Sequence, residues 1–362
     1  NGGFAVRPDT SGSFHRRNRV DRTGRIALYR YNETRSARNL IGYRVTRQES
    51  RLTGTYTDFL RRDGKGGFVA REWTNGHAAF KAELGADWLR YRERDTRFER
   101  WSGHGSLGYA QLTESGRFAV RVGQRWVEDY DLLPFAFAMY LRETDRVTFM
   151  ASAGYSERAP SQHELHHTRT QAFVYGFSGG IYADKGNPSL KSERQLTGSV
   201  DIEYGDTDNA LGIDITGGHI KDGIDWVHTV NGNLVEFVPE NGDIDFVSVS
   251  GRARLRWRDF LRLNAGGAYN YTDYALFADR PYTPDYQVFT GGELHVYWRQ
   301  KLVDLYAYGE MVYVGPYTGY LGHELGNRAV FNAVLSFRMG KFRFHYVFQN
   351  VFNTPYRTRE RF

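Results

Sequence analysis

Residues 247–257 alternate with a period of two, and what sits on each face leaves few folds open. Val247, Val249, Gly251, Ala253, Leu255 and Trp257 fall on one side of an extended chain; Ser248, Ser250, Arg252, Arg254 and Arg256 fall on the other. Three arginines in register cannot face lipid, where one at mid-membrane costs roughly 2–4 kcal/mol, but they can face water in a lumen. Trp257 ends the apolar side as an interfacial anchor, beside a turn at Arg258-Asp259.

The pattern recurs. Val303, Leu305, Ala307, Met311 and Tyr313 oppose Asp304, Tyr306, Tyr308 and Glu310. Ala329, Phe331, Ala333, Leu335, Phe337 and Met339 oppose Asn332, Ser336 and Arg338. Phe342, Phe344, Tyr346 and Phe348 oppose Arg343, His345 and Gln349, and Val147, Phe149, Ala151, Ala153 and Tyr155 oppose Thr148, Ser152 and Gly154. A soluble β-sandwich also alternates, but its strands average about 5–6 residues. These run to about 10–14, near the length of a tilted membrane span. Short turns near 113–116, 143–146, 205–209, 258–260, 299–301 and 339–341 alternate with longer connections at 128–134, 158–191, 274–284 and 315–326. Short periplasmic turns and long extracellular loops have this rhythm. The expectation is an all-β, transmembrane antiparallel outer-membrane β-barrel over residues 24–362. About seventeen strand segments lie between 24 and 352, after a lead-in segment or surface loop at 1–23. Strand 147–155 leaves the short 143–146 turn, so the 158–191 connection is expected outside the cell.

Mean hydropathy is −0.59, and no run approaches the roughly 18 apolar residues of a membrane helix. Barrel strands hide their apolar band in such averages, because every second side chain is polar. Aromatic residues make 15% of the chain, with 40 Gly and 9 Pro, which suits strands, tight turns and interfacial girdles. With no cysteine there is neither a disulfide framework nor a thiolate metal site. The net charge of +6 does not indicate nucleic acid, because the arginines alternate with apolar residues rather than clustering.

Three stretches carry a family resemblance. Tyr155-Ser156-Glu157-Arg158-Ala159-Pro160-Ser161-Gln162-His163-Glu164-Leu165 is similar to a strand exit of TonB-dependent outer-membrane receptors. Gly186-Asn187-Pro188-Ser189-Leu190-Lys191-Ser192-Glu193-Arg194 and Val347-Phe348-Gln349-Asn350-Val351-Phe352-Asn353-Thr354-Pro355-Tyr356 resemble two later motifs of that family, in order and separation. The resemblance covers roughly residues 80–356. It implies import of a scarce nutrient across the outer membrane, driven by the TonB energy-coupling complex. It also implies an N-terminal plug domain and about 22 strands. No plug is seen in this chain and fewer strands are found, so the barrel is expected to be incomplete relative to the family. A naturally plugless passive porin or structural barrel is the alternative.

Each motif also has an architectural reading. Pro160 ends a strand because it cannot donate to the ladder, and Gly186-Asn187-Pro188 is turn chemistry. For ligand capture, His163, His166 and His167 with Glu164 supply N and O donors suited to zinc, and the segment loosely resembles the corresponding loop of zinc-uptake receptors. Phe173, Tyr175 and Phe177 offer stacking surfaces for a siderophore or haem. Arg252, Arg254, Arg256, Glu310, Arg338, Arg343 and His345 are expected to line the lumen. No nucleophile–base–orienter set is placed by spacing and no resident cofactor is expected; zinc or an iron–siderophore would be the transported ligand. Expected partners are outer-membrane lipid and lipopolysaccharide, a small-molecule or metal ligand, and the TonB complex if a plug exists elsewhere.

Overall fold

Extended chain with one apolar and one polar side pairs with neighbours of like pattern, since a slip of one residue would exchange the faces. The computed structural model describes residues 6–8, 14–24, 37–53, 58–93, 96–175, 178–277, 281–298, 303–319 and 322–354. Among them nineteen strands and one short helix follow in order. The first seven strands are β1 (Val6–Pro8), β2 (Phe14–Gly24), β3 (Ala37–Thr53), β4 (Asp58–Thr74), β5 (Ala78–Glu93), β6 (Thr96–Thr113) and β7 (Gly116–Val127). Next come β8 (Leu133–Glu143), β9 (Val147–Arg158), α1 (Gln162–His166), β10 (Thr168–Tyr175) and β11 (Ser178–Lys185). Then follow β12 (Glu193–Gly205), β13 (Ala210–Asn231), β14 (Leu234–Trp257), β15 (Leu261–Tyr274), β16 (Tyr286–Trp298), β17 (Val303–Val314), β18 (Arg328–Met339) and β19 (Phe342–Phe348).

The chain divides into two compact units. In the first (Asn1–Ala138, Gly154–Gln195, Asp222–Asn241), β2 to β7 form an antiparallel meander. α1 and the antiparallel hairpin β10–β11 precede a parallel pairing of β11 with Leu234–Phe237 of β14. In the second (Met139–Ala153, Leu196–Lys221, Gly242–Phe362), β14 to β19 pair consecutively and antiparallel. Here β9 pairs with β12, with Ser152 and Ser199 hydroxyls 2.7 Å apart. The chain between these two strands is therefore an insertion.

Burial on these strands is inverted relative to a water-soluble protein. Along β12 every second residue is exposed, and after Arg194 at the strand's start the large exposed ones are apolar: Leu196 at 57%, Ile202 at 44%, Tyr204 at 56%. The side chains of Asp201 and Glu203 are only 17% and 27% exposed. Val247, Val249, Leu255 and Trp257 on β14, and Leu263, Tyr269 and Tyr271 on β15, continue the exposed apolar face. Apolar faces this extensive mark a membrane or partner surface. The register holds each face together: Val247 opposes Tyr271, Val249 opposes Tyr269 and Leu255 opposes Leu263.

Two expectations need correction. Residues 14–23, read as part of a lead-in segment or loop, belong to β2, which runs along β3. The run His15-Arg16-Arg17-Asn18-Arg19-Val20-Asp21-Arg22 is polar at both parities, so it has no period-two contrast to reveal a strand. The 158–191 connection, read as a long loop, contains α1 and the β10–β11 hairpin. The turns at 113–116, 143–146, 205–209, 258–260 and 339–341 fall between strands as expected, and 299–301 lies outside the described residues.

Candidate functional site

The insertion is fixed at its start by local chemistry. Ser161 caps α1, accepting a hydrogen bond from the Glu164 amide, while the Glu164 carboxylate accepts one from the Ser161 amide at 2.6 Å. Glu164 also accepts from the Arg158 guanidinium at 3.0 Å, and the same guanidinium donates to Glu193 at 3.1 Å. Glu193 in turn accepts from the Ile224 amide at 3.1 Å. Arg158 and Glu164 belong to the first sequence motif and Glu193 to the second, so the two motifs meet in one ion-paired clamp. Leu165 and Leu190 are buried and Pro160 is fully so; Arg100 donates to the Pro160 carbonyl at 2.6 Å. Asn187 donates to the Pro239 carbonyl at 3.0 Å, and Asn241 accepts from the Lys191 amide at 2.8 Å. This supports the architectural reading of the first two motifs.

Gly186 packs where no side chain fits. Its amide donates to the His167 carbonyl at 2.6 Å. A Cβ there would stand 2.5 Å from the His166 nitrogen and 2.6 Å from the Leu165 carbonyl carbon. Backbone atoms cannot step aside, so Gly186→Ala should cost roughly 1–3 kcal/mol. Limited proteolysis should show faster cleavage within 161–191, while unchanged resistance would mean that the segment relaxes freely.

The three histidines do not assemble as a zinc site. His163 and His167 stack on each other at 4.2 Å between ring centres, and Trp226 meets His163 edge-on at 5.4 Å. His166 stacks on Phe98 at 4.1 Å. Tyr91 lies edge-on to His163 at 6.5 Å, and His167 Nε2 is 3.7 Å from Asp184. Among the described residues no group of three His, Cys, Asp or Glu could hold a metal. The physical reason is that α1 ends at His166, so His167 leaves helical geometry (φ −60°, ψ 135°), while Glu164 is committed to Arg158. The side chains of Phe173 and Tyr175 lie outside the described residues, as does Phe177.

Burial, followed by the positive charge of Arg100, pushes the His166 imidazole below its ordinary value of 6.5, against a smaller opposing pull from Asp129. A histidine whose folded pKa is depressed is held neutral by the fold. Its stabilising contribution is present above 6.5 and is lost as pH falls towards the lower folded value. Hydrogen-exchange protection in 161–167, taken relative to the intrinsic exchange rate at each pH, should therefore fall between pH 7.5 and 5, and His166→Phe should blunt that change. Equal pH responses in the two proteins would exclude His166 as the cause.

In the second unit the polar face is a separate lattice. Arg252 pairs with Asp201 at 3.0 Å and Glu203 at 2.9 Å, Arg254 with Glu203 at 2.7 Å, and Arg256 with Asp208 at 2.9 Å and Asp259 at 3.0 Å. Glu310 accepts from Tyr308 at 2.7 Å and from Asn332 at 3.0 Å. His295 lies 2.8 Å from Asp304, and Arg338 4.0 Å from the same carboxylate. Arg343 and His345 sit exposed on β19, opposite Arg338 and Ser336. All seven expected lumen residues thus lie on polar strand positions. Asp201, Glu203 and Trp226 were not anticipated; their partners are 51, 49 and about 60 residues distant in sequence, beyond any local signal.

This architecture coincides with solved structures over nearly the whole chain. A copper transporter, OprC, superposes with a TM-score of 0.68, covering 98% of this chain and 62% of its own, at 15% identity. The fold is that of an outer-membrane β-barrel. The ferric enterobactin receptor PfeA of Pseudomonas aeruginosa matches with a TM-score of 0.64 at 15% identity, over 94% of this chain and 56% of that one. The FrpB iron transporter of Neisseria meningitidis matches at 0.61 and 12% identity, over 96% and 60%. The chain thus spans about three fifths of the length of these receptor barrels. At such identities the likeness is one of fold. No protein-family model matches the sequence, and no curated protein does.

Proposed function

We propose that the chain is the barrel part of an outer-membrane receptor that imports a scarce nutrient: a metal ion, a metal chelate, a siderophore or haem. The observation that carries this reading is the inverted burial of the strands, on a fold shared with proteins described as copper, ferric-siderophore and iron transporters. The polar face with Arg252, Arg254, Arg256, Glu310, Arg338, Arg343 and His345 lines the lumen, where water solvates its ion pairs. The 158–191 insertion stands at the extracellular rim, and His163, His166, His167, Glu164, Phe173 and Tyr175 belong to the capture surface. Ring faces and a rigid clamp suit an aromatic or chelated ligand better than a bare cation. Transport energy comes from the TonB complex acting on a plug.

The test is uptake by cells carrying the full-length gene or its deletion, supplied with free metal, ferric siderophore or haem. Loss of one substrate's uptake on deletion, abolished equally by removing TonB, is expected. Uptake insensitive to both losses, with open-channel conductance in planar bilayers, would make the chain a passive porin instead.

A further inference from the structure

Asparagine followed by glycine is a chemically labile pair. A glycine amide nitrogen that has given up its proton can bond to the asparagine Cγ, and glycine has no side chain to shield that nitrogen. Among the described residues the pair occurs as Asn75-Gly76, Asn231-Gly232 and Asn241-Gly242. The three are alike in sequence and differ in how the fold holds them.

Asn241 is clamped. Its Oδ1 accepts from the Lys191 amide at 2.8 Å, and its Nδ2 donates to the Asp222 carbonyl at 2.7 Å and the Lys191 carbonyl at 3.3 Å. Gly242 beside it is buried. Asn75 is exposed, but its Oδ1 accepts from the Ala78 amide at 2.8 Å, which holds the carboxamide across the turn. Asn231, Gly232 and Asn233 are all exposed, and among the described residues the Asn231 side chain has no hydrogen-bond partner. Gly232 stands at φ +59°, and a Cβ there would meet nothing within 4 Å, so the space around this turn is open.

The same turn carries a tether. β13 ends at Asn231 and β14 starts at Leu234, a two-residue hairpin loop with Gly at its first central position. The Ile181 amide of β11 donates to the Asn233 carbonyl at 2.7 Å, and Ile181 to Asp184 run parallel to Leu234 to Phe237. That register sets Asp184 opposite Phe237, with its carboxylate 3.7 Å from His167.

We infer that Asn231 is a site of spontaneous deamidation, and that its isoaspartate product unfastens β11 from β14. The Gly232 nitrogen bonds to Asn231 Cγ, the Cγ–Nδ2 bond breaks, and ammonia leaves with the proton that the Gly232 nitrogen gave up. Water then opens the resulting succinimide at either carbonyl. One opening leaves aspartate; the other leaves isoaspartate, whose main chain runs through the former side-chain carbon. The main chain gains one carbon, about 1.5 Å of bond, in a loop shaped for two ordinary residues. The Asn233 carbonyl then moves off the Ile181 amide, and the 158–191 insertion loses its pairing with β14. The reaction itself is independent of the receptor reading; its effect on ligand capture rests on that reading.

The full-length protein in detergent is held in warm, mildly alkaline buffer and sampled over time, with a parallel sample in denaturant. Peptide mass mapping follows each Asn-Gly pair, and labelling by isoaspartyl methyltransferase counts isoaspartate. In the folded protein Asn231 should react roughly tenfold or more faster than Asn241, whose hydrogen bonds must open first, with Asn75 between them. In denaturant the three rates should converge. Hydrogen exchange over 178–185 should quicken in aged wild type. It should stay slow in aged Asn231→Gln, whose longer side chain closes its ring far more slowly, and in fresh Asn231→Asp, which has the new charge without the added carbon. Asn231 reacting no faster than Asn241 in the folded protein, the same ranking persisting in denaturant, or unchanged protection of 178–185 once isoaspartate has formed would each overturn the inference. A fresh Asn231→Asp protein as loose as aged wild type would overturn the role of the added carbon.

Discussion

Arg158→Ala should be the most damaging single substitution in the 158–191 insertion. The guanidinium holds two carboxylates that are themselves largely shielded, Glu164 at 15% and Glu193 at 18% side-chain exposure. Removing a buried pair's partner costs about 3–5 kcal/mol, and Arg158 is itself 42% exposed, so about 3 kcal/mol is the appropriate figure. The loss falls locally. Glu164 also completes the α1 capping box and Glu193 also receives the Ile224 amide, so the insertion, more than the strands, should loosen. Hydrogen exchange should show 161–193 opening while β14 to β19 stay protected. Replacing Arg158 by Met together with Glu164→Gln and Glu193→Gln should recover much of the loss, because no charge is then stranded. A triple variant as unstable as the single one would mean that the clamp acts through packing rather than charge.

Val249→Arg should be about as costly for a different reason. Val249 is exposed on the apolar face, opposite Tyr269. Within the bilayer a guanidinium there costs roughly 2–4 kcal/mol. Ser250→Arg, one residue along and on the face of Arg252, should cost under about 1 kcal/mol, since that face already carries solvated ion pairs. Unfolding in urea from lipid vesicles compares the two. Equal costs would remove the distinction between the faces.

Those faces were legible in the sequence wherever polar and apolar residues alternate cleanly. On 247–257 the three arginines alone separate lipid from water, and the structure keeps that separation through the whole register of β14 with β15. The signal failed in two kinds of place. Residues 14–24 are polar at both parities, so β2 pairs without advertising itself. In the 158–191 insertion, Gly, Pro and Ser punctuation resembles an irregular loop, yet the order comes from contacts with distant strands: Arg100 to Pro160, Trp226 to His163, Pro239 to Asn187. For the same reason the histidines looked like metal ligands. Their spacing is visible in the chain, but the Phe98 and Trp226 rings that occupy them are not. Arg158, Glu164 and Glu193 lie within the two motifs, but nothing in the sequence set them apart as a group; their joint ion pairing needed coordinates.

Because the chain contains no cysteine, single cysteines report on one site at a time without background. The decisive measurement places one at each position from 248 to 257 in the protein inserted into lipid vesicles. Each is tested for reaction with a charged aqueous maleimide and, labelled with a fluorophore beforehand, for quenching by nitroxide lipid. Positions 248, 250, 252, 254 and 256 should react with the maleimide and resist quenching, and positions 249, 251, 253 and 255 should do the reverse. Labelling that ignores the two-residue period, or a reversed pattern with the arginine positions quenched by lipid, would contradict a membrane-spanning strand with a water-filled polar side.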